Sequence, residues 1–221
     1  MNNPDLRPVF RCHFRGLLAA EPAPAQLETI KAEAAAAIRA GRLMTAACYR
    51  FGSELFLFCE ALGEPCSPET LLPAFNPLLA PWPQNGELRR WAVMYNIYWH
   101  SVPKNAADWR RPAPPALRRG RIARLQTDKL FSYCYHHTAI VQEGLLQGDR
   151  YHSIALHENT LFSYFEEPKT MVNIRGVAEQ PSPALAAWEA ADPESHFIRL
   201  PGAAGNFLFL PAVFAFGQES V

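Results

Sequence analysis

Over Val9–Leu18, Phe10, Cys12 and Phe14 alternate with Arg11, His13 and Arg15. A period of two predicts a β-strand that turns its apolar side to a core. From Ala25 to Ala40 the alternation gives way to alanine, glutamate and lysine, with Gly41 just beyond, which predicts a helix with a glycine stop. LMTAACYRF and ELFLFCEAL, split by Gly52-Ser53, read as a hairpin. Ser67-Pro68-Glu69 then opens a short helix through Leu72, with serine suited to the cap and proline to the first turn. Arg89–Ser101, RRWAVMYNIYWHS, is dense in aromatic and β-branched residues and predicts a strand.

The same order is expected again downstream. KLFSYCYHHTAI, from Lys129, reads as a strand, and VQEGLLQGD as a short helix or turn. YHSIALHE and TLFSYFEEP form a hairpin around Asn159, SPALAAWEAAD a serine-capped helix, and Asn206–Phe216 the closing strand. Residues align between the halves as well as elements. VFRCHFR falls on LFSYCYH, so that Phe10 matches Phe131. Leu55, Phe56 and Glu60 fall on Leu161, Phe162 and Glu166, and Trp91–Tyr98 on Phe207–Phe214. The expected fold class is α+β: two tandem ferredoxin-like β-α-β-β-α-β repeats whose antiparallel sheets pair into a barrel-like unit. The first repeat is expected at 8–102 and the second at 129–217.

The connection, 103–128, is expected to be an extended, solvated linker. Ser101–Lys129 holds four prolines, with six arginines and two lysines against two aspartates, a local charge of +6. No aromatic stacking platform accompanies that charge, so nucleic acid is not expected as a partner. The whole chain of 221 residues is neutral and 49% apolar, enough for a sizeable core. The opening MNNPDLRPVF has no apolar leader core and no apolar run is long enough to span a bilayer, so no membrane role is expected. Five cysteines without C-x-x-C spacing predict neither a disulfide framework nor a zinc knuckle, and they fit a cytoplasmic protein.

Candidate chemistry follows from strand parity. Arg11, His13 and Arg15 share one strand face and are costly to bury alone. Either they meet carboxylates such as Glu60 and Glu166 in a structural network, or they line a polar ligand site. His136, His137, His152 and His157 fall within 22 residues, beside Glu158, Tyr164, Glu166 and Glu167. Imidazoles and carboxylates move protons near neutral pH. His152 and His157 diverge on a strand and HENT is not H-E-x-x-H, so no bound zinc is expected. Tyr98 and Trp99 close an aromatic strand and suit either a core or the face of a ring-shaped ligand.

The hairpin YHSIALHENTLFSYFEE resembles that of the L-rhamnose mutarotases, members of the dimeric α+β barrel superfamily, although this chain is duplicated. The resemblance implies a cofactor-independent sugar mutarotase. His136 and Glu166 would be its acid–base pair, with His157 in support, and Arg11, His13, Arg15, Glu60, Tyr98, Trp99 and Tyr164 would contact the sugar. It fits a monomer or a homodimer. A second resemblance, to chlorite-dismutase-like heme proteins, implies heme on His196 or His136. A non-catalytic small-molecule-binding module is the third reading.

Overall fold

In the computed structural model, residues 3–84, 86–178 and 180–219 are described, and Met1 and Asn2 of the opening segment lie outside them. In chain order the elements begin β1 (Val9–Leu17), α1 (Pro24–Arg39), β2 (Leu43–Phe51), β3 (Glu54–Leu62) and α2 (Pro68–Leu71). Short strands β4 (Trp82–Gln84) and β5 (Glu87–Arg89) precede β6 (Trp91–Trp99) and α3 (Ala106–Trp109). There follow β7 (Leu117–Leu125), α4 (Leu130–Glu143), β8 (Gln147–Asp149), β9 (Ser153–His157), β10 (Thr160–Glu167) and β11 (Met171–Asn173). The chain closes with α5 (Pro183–Ala190), β12 (Phe197–Ile198), β13 (Leu208–Phe209) and β14 (Ala212–Gly217).

The chain divides into two compact units, neither of them a contiguous segment. Unit 1 comprises Met1–Met94, Pro103–Pro114 and Pro211–Val221; unit 2 comprises Tyr95–Val102 and Pro115–Leu210. Within unit 1 the strand order is β6-β1-β3-β2-β14, all antiparallel. Its first four strands keep the ferredoxin-like order, with the fourth strand of the repeat beside the first. The expected strand β1, helix α1 and hairpin β2–β3 are all present, and Gly52 turns the hairpin at φ +58°, a conformation a glycine adopts without strain. Phe14 packs with Ile30, Ala34 and Ile38 of α1, and Phe10 and Cys12 lie against the same core. Arg11, His13 and Arg15 therefore occupy the face away from the helix, as the alternation predicts. The cap of α2 differs from expectation: Ser67 makes no side-chain bond to the helix backbone, and its hydroxyl donates to Glu69 instead, at 3.1 Å.

Unit 2 runs β12-β7-β10-β9-β6, again antiparallel. Two expectations are corrected here. The segment expected as a strand from Lys129 to Ile140 is not one: Leu130–Ile140 is the body of α4 and Lys129 precedes it. Tyr133, His137 and Ile140 are buried at helical spacing, whereas Phe131 is 92% exposed, which one strand face shared by Phe131, Tyr133 and Tyr135 would not allow. The expected solvated linker 103–128 carries α3 and β7, and Trp109, Ile122, Ala123 and Leu125 are fully buried. β7 is the first strand of the second repeat, and β7-α4-β9-β10-α5-β12 restores the β-α-β-β-α-β order. The hairpin and α5 lie where expected, and Ser182 caps α5 by accepting from the Leu185 N–H at 3.0 Å.

The true register replaces the Phe10–Phe131 match. Arg11 faces Glu60 across β1–β3, and Arg118 faces Glu166 across β7–β10. Arg11 is thus equivalent to Arg118 and Phe10 to Leu117. The hairpin match survives unchanged: Leu55 and Leu161 enter the helix-side cores, while Phe56 and Phe162 are buried on the opposite face. Among the described residues no helix is long and apolar enough to cross a membrane.

Candidate functional site

On unit 1, Glu60 has no exposure. It accepts the Trp109 indole N–H at 2.6 Å and two guanidinium N–H groups of Arg111 at 2.6 and 3.1 Å. Arg11 lies over the Trp109 ring at 5.4 Å, His13 packs edge-on against Phe58 at 4.9 Å, and Arg15 donates to Glu54 at 2.7 Å beneath Trp82. This is a network of buried charges with partners. Burial raises the Glu60 pKa, but the charge of Arg111 and bonds from Arg111, Thr45 and Trp109 outweigh it and leave it below the usual carboxylate range.

On unit 2 the expected pair is separated. His136 lies half-buried on α4 between Tyr135 and Trp188. Glu166 is buried on the sheet face away from the helices, where it accepts from the Tyr164 hydroxyl at 2.8 Å beside Arg118 at 3.7 Å. The helix assignment of 130–143 is the physical reason: it moves His136 off the sheet. His157 shares a face with Glu166 but pairs with Thr160 at the far end of the hairpin, roughly 20 Å along the strand. Tyr98 faces the helices against His137 and His152, while Trp99 pairs with Ser153 on the opposite face. His196, the heme candidate, has both ring nitrogens engaged. Nδ1–H donates to the Asp192 carbonyl at 3.1 Å, so Nε2 accepts from the Ser132 hydroxyl at 2.9 Å, leaving no nitrogen for iron.

Sequence reasoning missed a different set of residues, on the helix side of unit 2. In β7, Arg121 occupies the position that Phe14 fills in unit 1, and β10 contributes Ser163 and Phe165 beside it. Arg121 Nε–H donates to Ser163 Oγ at 3.2 Å, and His152 Nε2 lies 3.0 Å from the same oxygen. The guanidinium sits 4.4 Å from the Phe207 ring centre and 5.0 Å from that of Phe165. Arg121 lines a groove of about 540 Å³ with Gly202–Phe209, none of which is acidic. Among the described residues it has no carboxylate partner, and its Nη groups make no hydrogen bond to protein. Burial pulls its pKa down and the nearby Tyr133 pulls it up, yet an arginine stays protonated near neutrality. Tyr98 is pushed above the usual phenol range by burial and then by the Asp149 charge. The signal legible in sequence was RRGRIARL itself, whose arginines stand on both strand faces.

No protein-family profile and no curated protein matches the chain. Among solved structures, a Fusobacterium nucleatum subsp. nucleatum protein with a provisional monooxygenase name gives a TM-score of 0.44 at 7% identity. The match covers 97% of this chain and 96% of that one. A Lactobacillus acidophilus protein with the same kind of name gives 0.44 at 7% identity, covering 97% and 98%. An anthrone oxidase-like protein gives 0.38 at 11% identity, covering 96% and 97%. Likeness at this level carries no assignment of activity.

Proposed function

We propose that the protein binds a small planar anion, a carboxylate attached to an aromatic or unsaturated ring, in the groove over Arg121. The observation that carries this reading is a half-buried arginine without a carboxylate partner, opening on a groove without acidic residues. A guanidinium whose Nη fork is unused binds carboxylates through paired, charge-assisted hydrogen bonds. Phe165 and Phe207 hold the fork between aromatic faces and offer stacking to a ring. The groove volume lies within the range of small-molecule sites. Tyr98 and His152, whose rings lie 5.3 Å apart, supply a phenol and an imidazole beside the Arg121–Ser163 bond. The sugar mutarotase reading requires an acid and a base across one cavity, and the separation of His136 from Glu166 leaves it without that pair.

Calorimetric titration of the full chain separates the two readings, using benzoate and salicylate, the neutral isostere benzamide, and L-rhamnose. We expect the two carboxylates to bind and benzamide and the sugar to be silent. Arg121→Met should weaken carboxylate binding ~10–100-fold, the worth of a lost charge-assisted bond, with the melting temperature nearly unchanged. Equal binding of benzoate and benzamide, binding of the sugar alone, or undiminished affinity in Arg121→Met would refute the assignment.

A further inference from the structure

Arg121 and Ser163 are direct cross-strand partners on β7 and β10 of unit 2. The equivalent pair of unit 1, Phe14 and Leu57, is apolar and buried in the helix-side core. The fold of the repeat therefore asks for no polar pair at this place. Ser163 has no solvent exposure, and a buried hydroxyl without partners is costly. Its oxygen has two partners among the described residues, Arg121 Nε at 3.2 Å and His152 Nε2 at 3.0 Å. A guanidinium only donates, so Ser163 accepts from Arg121 and turns its single hydrogen to His152. In the neutral ring His152 Nε2 is then the acceptor, and the proton sits on Nδ1. The three side chains form a one-way line of donors, from Arg121 to Ser163 to His152.

Arg121 is thereby left with one open edge. A guanidinium meets a carboxylate through two parallel bonds, along the side edge of Nε and one Nη or along the end edge of Nη1 and Nη2. Ser163 takes the Nε–H, which closes the side edge. The ring centres of Phe207 and Phe165 lie 4.4 and 5.0 Å from the guanidinium carbon, so the flat face is taken by aromatic rings. The remaining approach lies in the guanidinium plane, at the two Nη groups.

We propose that Ser163 sets ligand choice at this site: by holding Nε it confines the anion to the end edge, and so selects carboxylates conjugated with a flat ring over arylacetates and arylsulfonates. The selection rests on the anion-binding reading of the groove over Arg121. A conjugated carboxylate lies in the plane of its own ring, so ring and guanidinium extend as one layer along the aromatic faces. In an arylacetate the methylene turns the carboxylate out of the ring plane. In an arylsulfonate the three oxygens around sulfur share no plane with the ring. His152 is a positioning residue, acting through Ser163 by drawing its hydrogen away from Arg121.

The test joins calorimetry to nitrogen NMR of the arginine side chains in the full chain, with benzoate, phenylacetate and benzenesulfonate as probes. The Arg121 signals are those missing from Arg121→Met. In the wild type we expect the Arg121 Nε–H to exchange slowly without ligand and to stay in place as benzoate is added, while the Nη signals move. Benzoate should bind ~10-fold more tightly than either other probe, the worth of one misaligned bond to a charged group. Ser163→Ala should open the Nε–H to exchange, let benzoate shift it, and shrink that preference. Ser163→Thr keeps the hydroxyl and should restore both. A purely structural role for Ser163 would weaken all three probes together and leave their ratio unchanged. Benzoate that moves the wild-type Nε–H as far as the Nη signals overturns the end-edge assignment, with no variant needed. An unchanged preference in folded Ser163→Ala overturns the role of Ser163. Binding of no probe, with the slow Nε–H present, overturns the anion-binding reading itself and the ligand choice built on it.

Discussion

A carboxylate with no solvent exposure stays ionised only where its surroundings replace water, and Glu60 is such a case. Arg111 grips both its oxygens and Trp109 adds a third donor, so charged and neutral N–H groups stand in for water. The second repeat holds Glu166 at the equivalent position, facing Arg118 as Glu60 faces Arg11. A carboxylate opposite an arginine is therefore a structural device repeated in both units. Removing one partner from a buried pair costs about 3–5 kcal/mol, because the other charge is left uncompensated. Arg111→Met should lower unfolding free energy by about that much in urea titrations, and Glu60→Leu with Arg111→Met should cost well under the sum of the single changes. Additive losses would show that the two side chains act independently. The sequence reading left Arg11, His13 and Arg15 open between network and ligand site, because alternation shows which face a residue takes but not what lies over it. The partners that decide the matter, Trp109, Arg111 and Trp82, come from segments that carry no periodic signal.

At the scale of elements, β1 and α1 are legible because each turns one apolar stripe to the core, and the β2–β3 and β9–β10 hairpins because apolar runs, buried on both faces, are split by short polar turns. β7 and α4 are not. β7 carries Arg118 and Arg124 on one face and Arg119 and Arg121 on the other, so its charge reads as solvated chain while its pairing to β10, β12 and β13 is set by tertiary contacts. α4 shows the converse failure: Phe131, Tyr133 and Tyr135 mimic a strand period, and the true stripe is the sparser Tyr133, His137, Ile140. The missed site follows directly, since Arg121 can be seen as a site residue only once β7 is a strand. Native-state hydrogen exchange tests the reassignment. The amides of Gly120–Arg124, in a strand paired on both sides, should be among the slowest in the chain, close to the global opening limit. Exchange there within seconds, as in an extended linker, would restore the linker reading.

For the whole molecule, the two units alternate along the chain, since Pro211–Val221 belongs to unit 1 and Tyr95–Val102 to unit 2. Neither unit has all its strands without chain from beyond the other, so a single cooperative unfolding transition is expected. Acid acts on that transition through buried histidines in both units. In unit 1, burial and then the Arg11 charge press His13 down to about 3. In unit 2, burial lowers His137 to about 4 against the upward pull of its bond to the Tyr133 carbonyl, and burial lowers His100 as well. All three are neutral in the fold, whereas the unfolded chain takes up a proton near 6.5. Their stabilising effect is therefore complete above pH 6.5 and is lost progressively as pH falls towards the folded values. His13 and His137 each contribute a slope of up to about 1.4 kcal/mol per pH unit. Asp149, held above the usual carboxylate range by burial, has the opposite sign and acts nearer its own range. Between pH 6.5 and 5 the histidines therefore dominate, and urea midpoints should fall across that window with one transition throughout. His13→Gln removes one titrating group and should flatten the dependence by roughly a third to a half, and His13→Gln with His137→Gln should flatten it further. A dependence unchanged in both variants would mean that neither imidazole is held neutral in the fold, and that the acid response originates in the carboxylates.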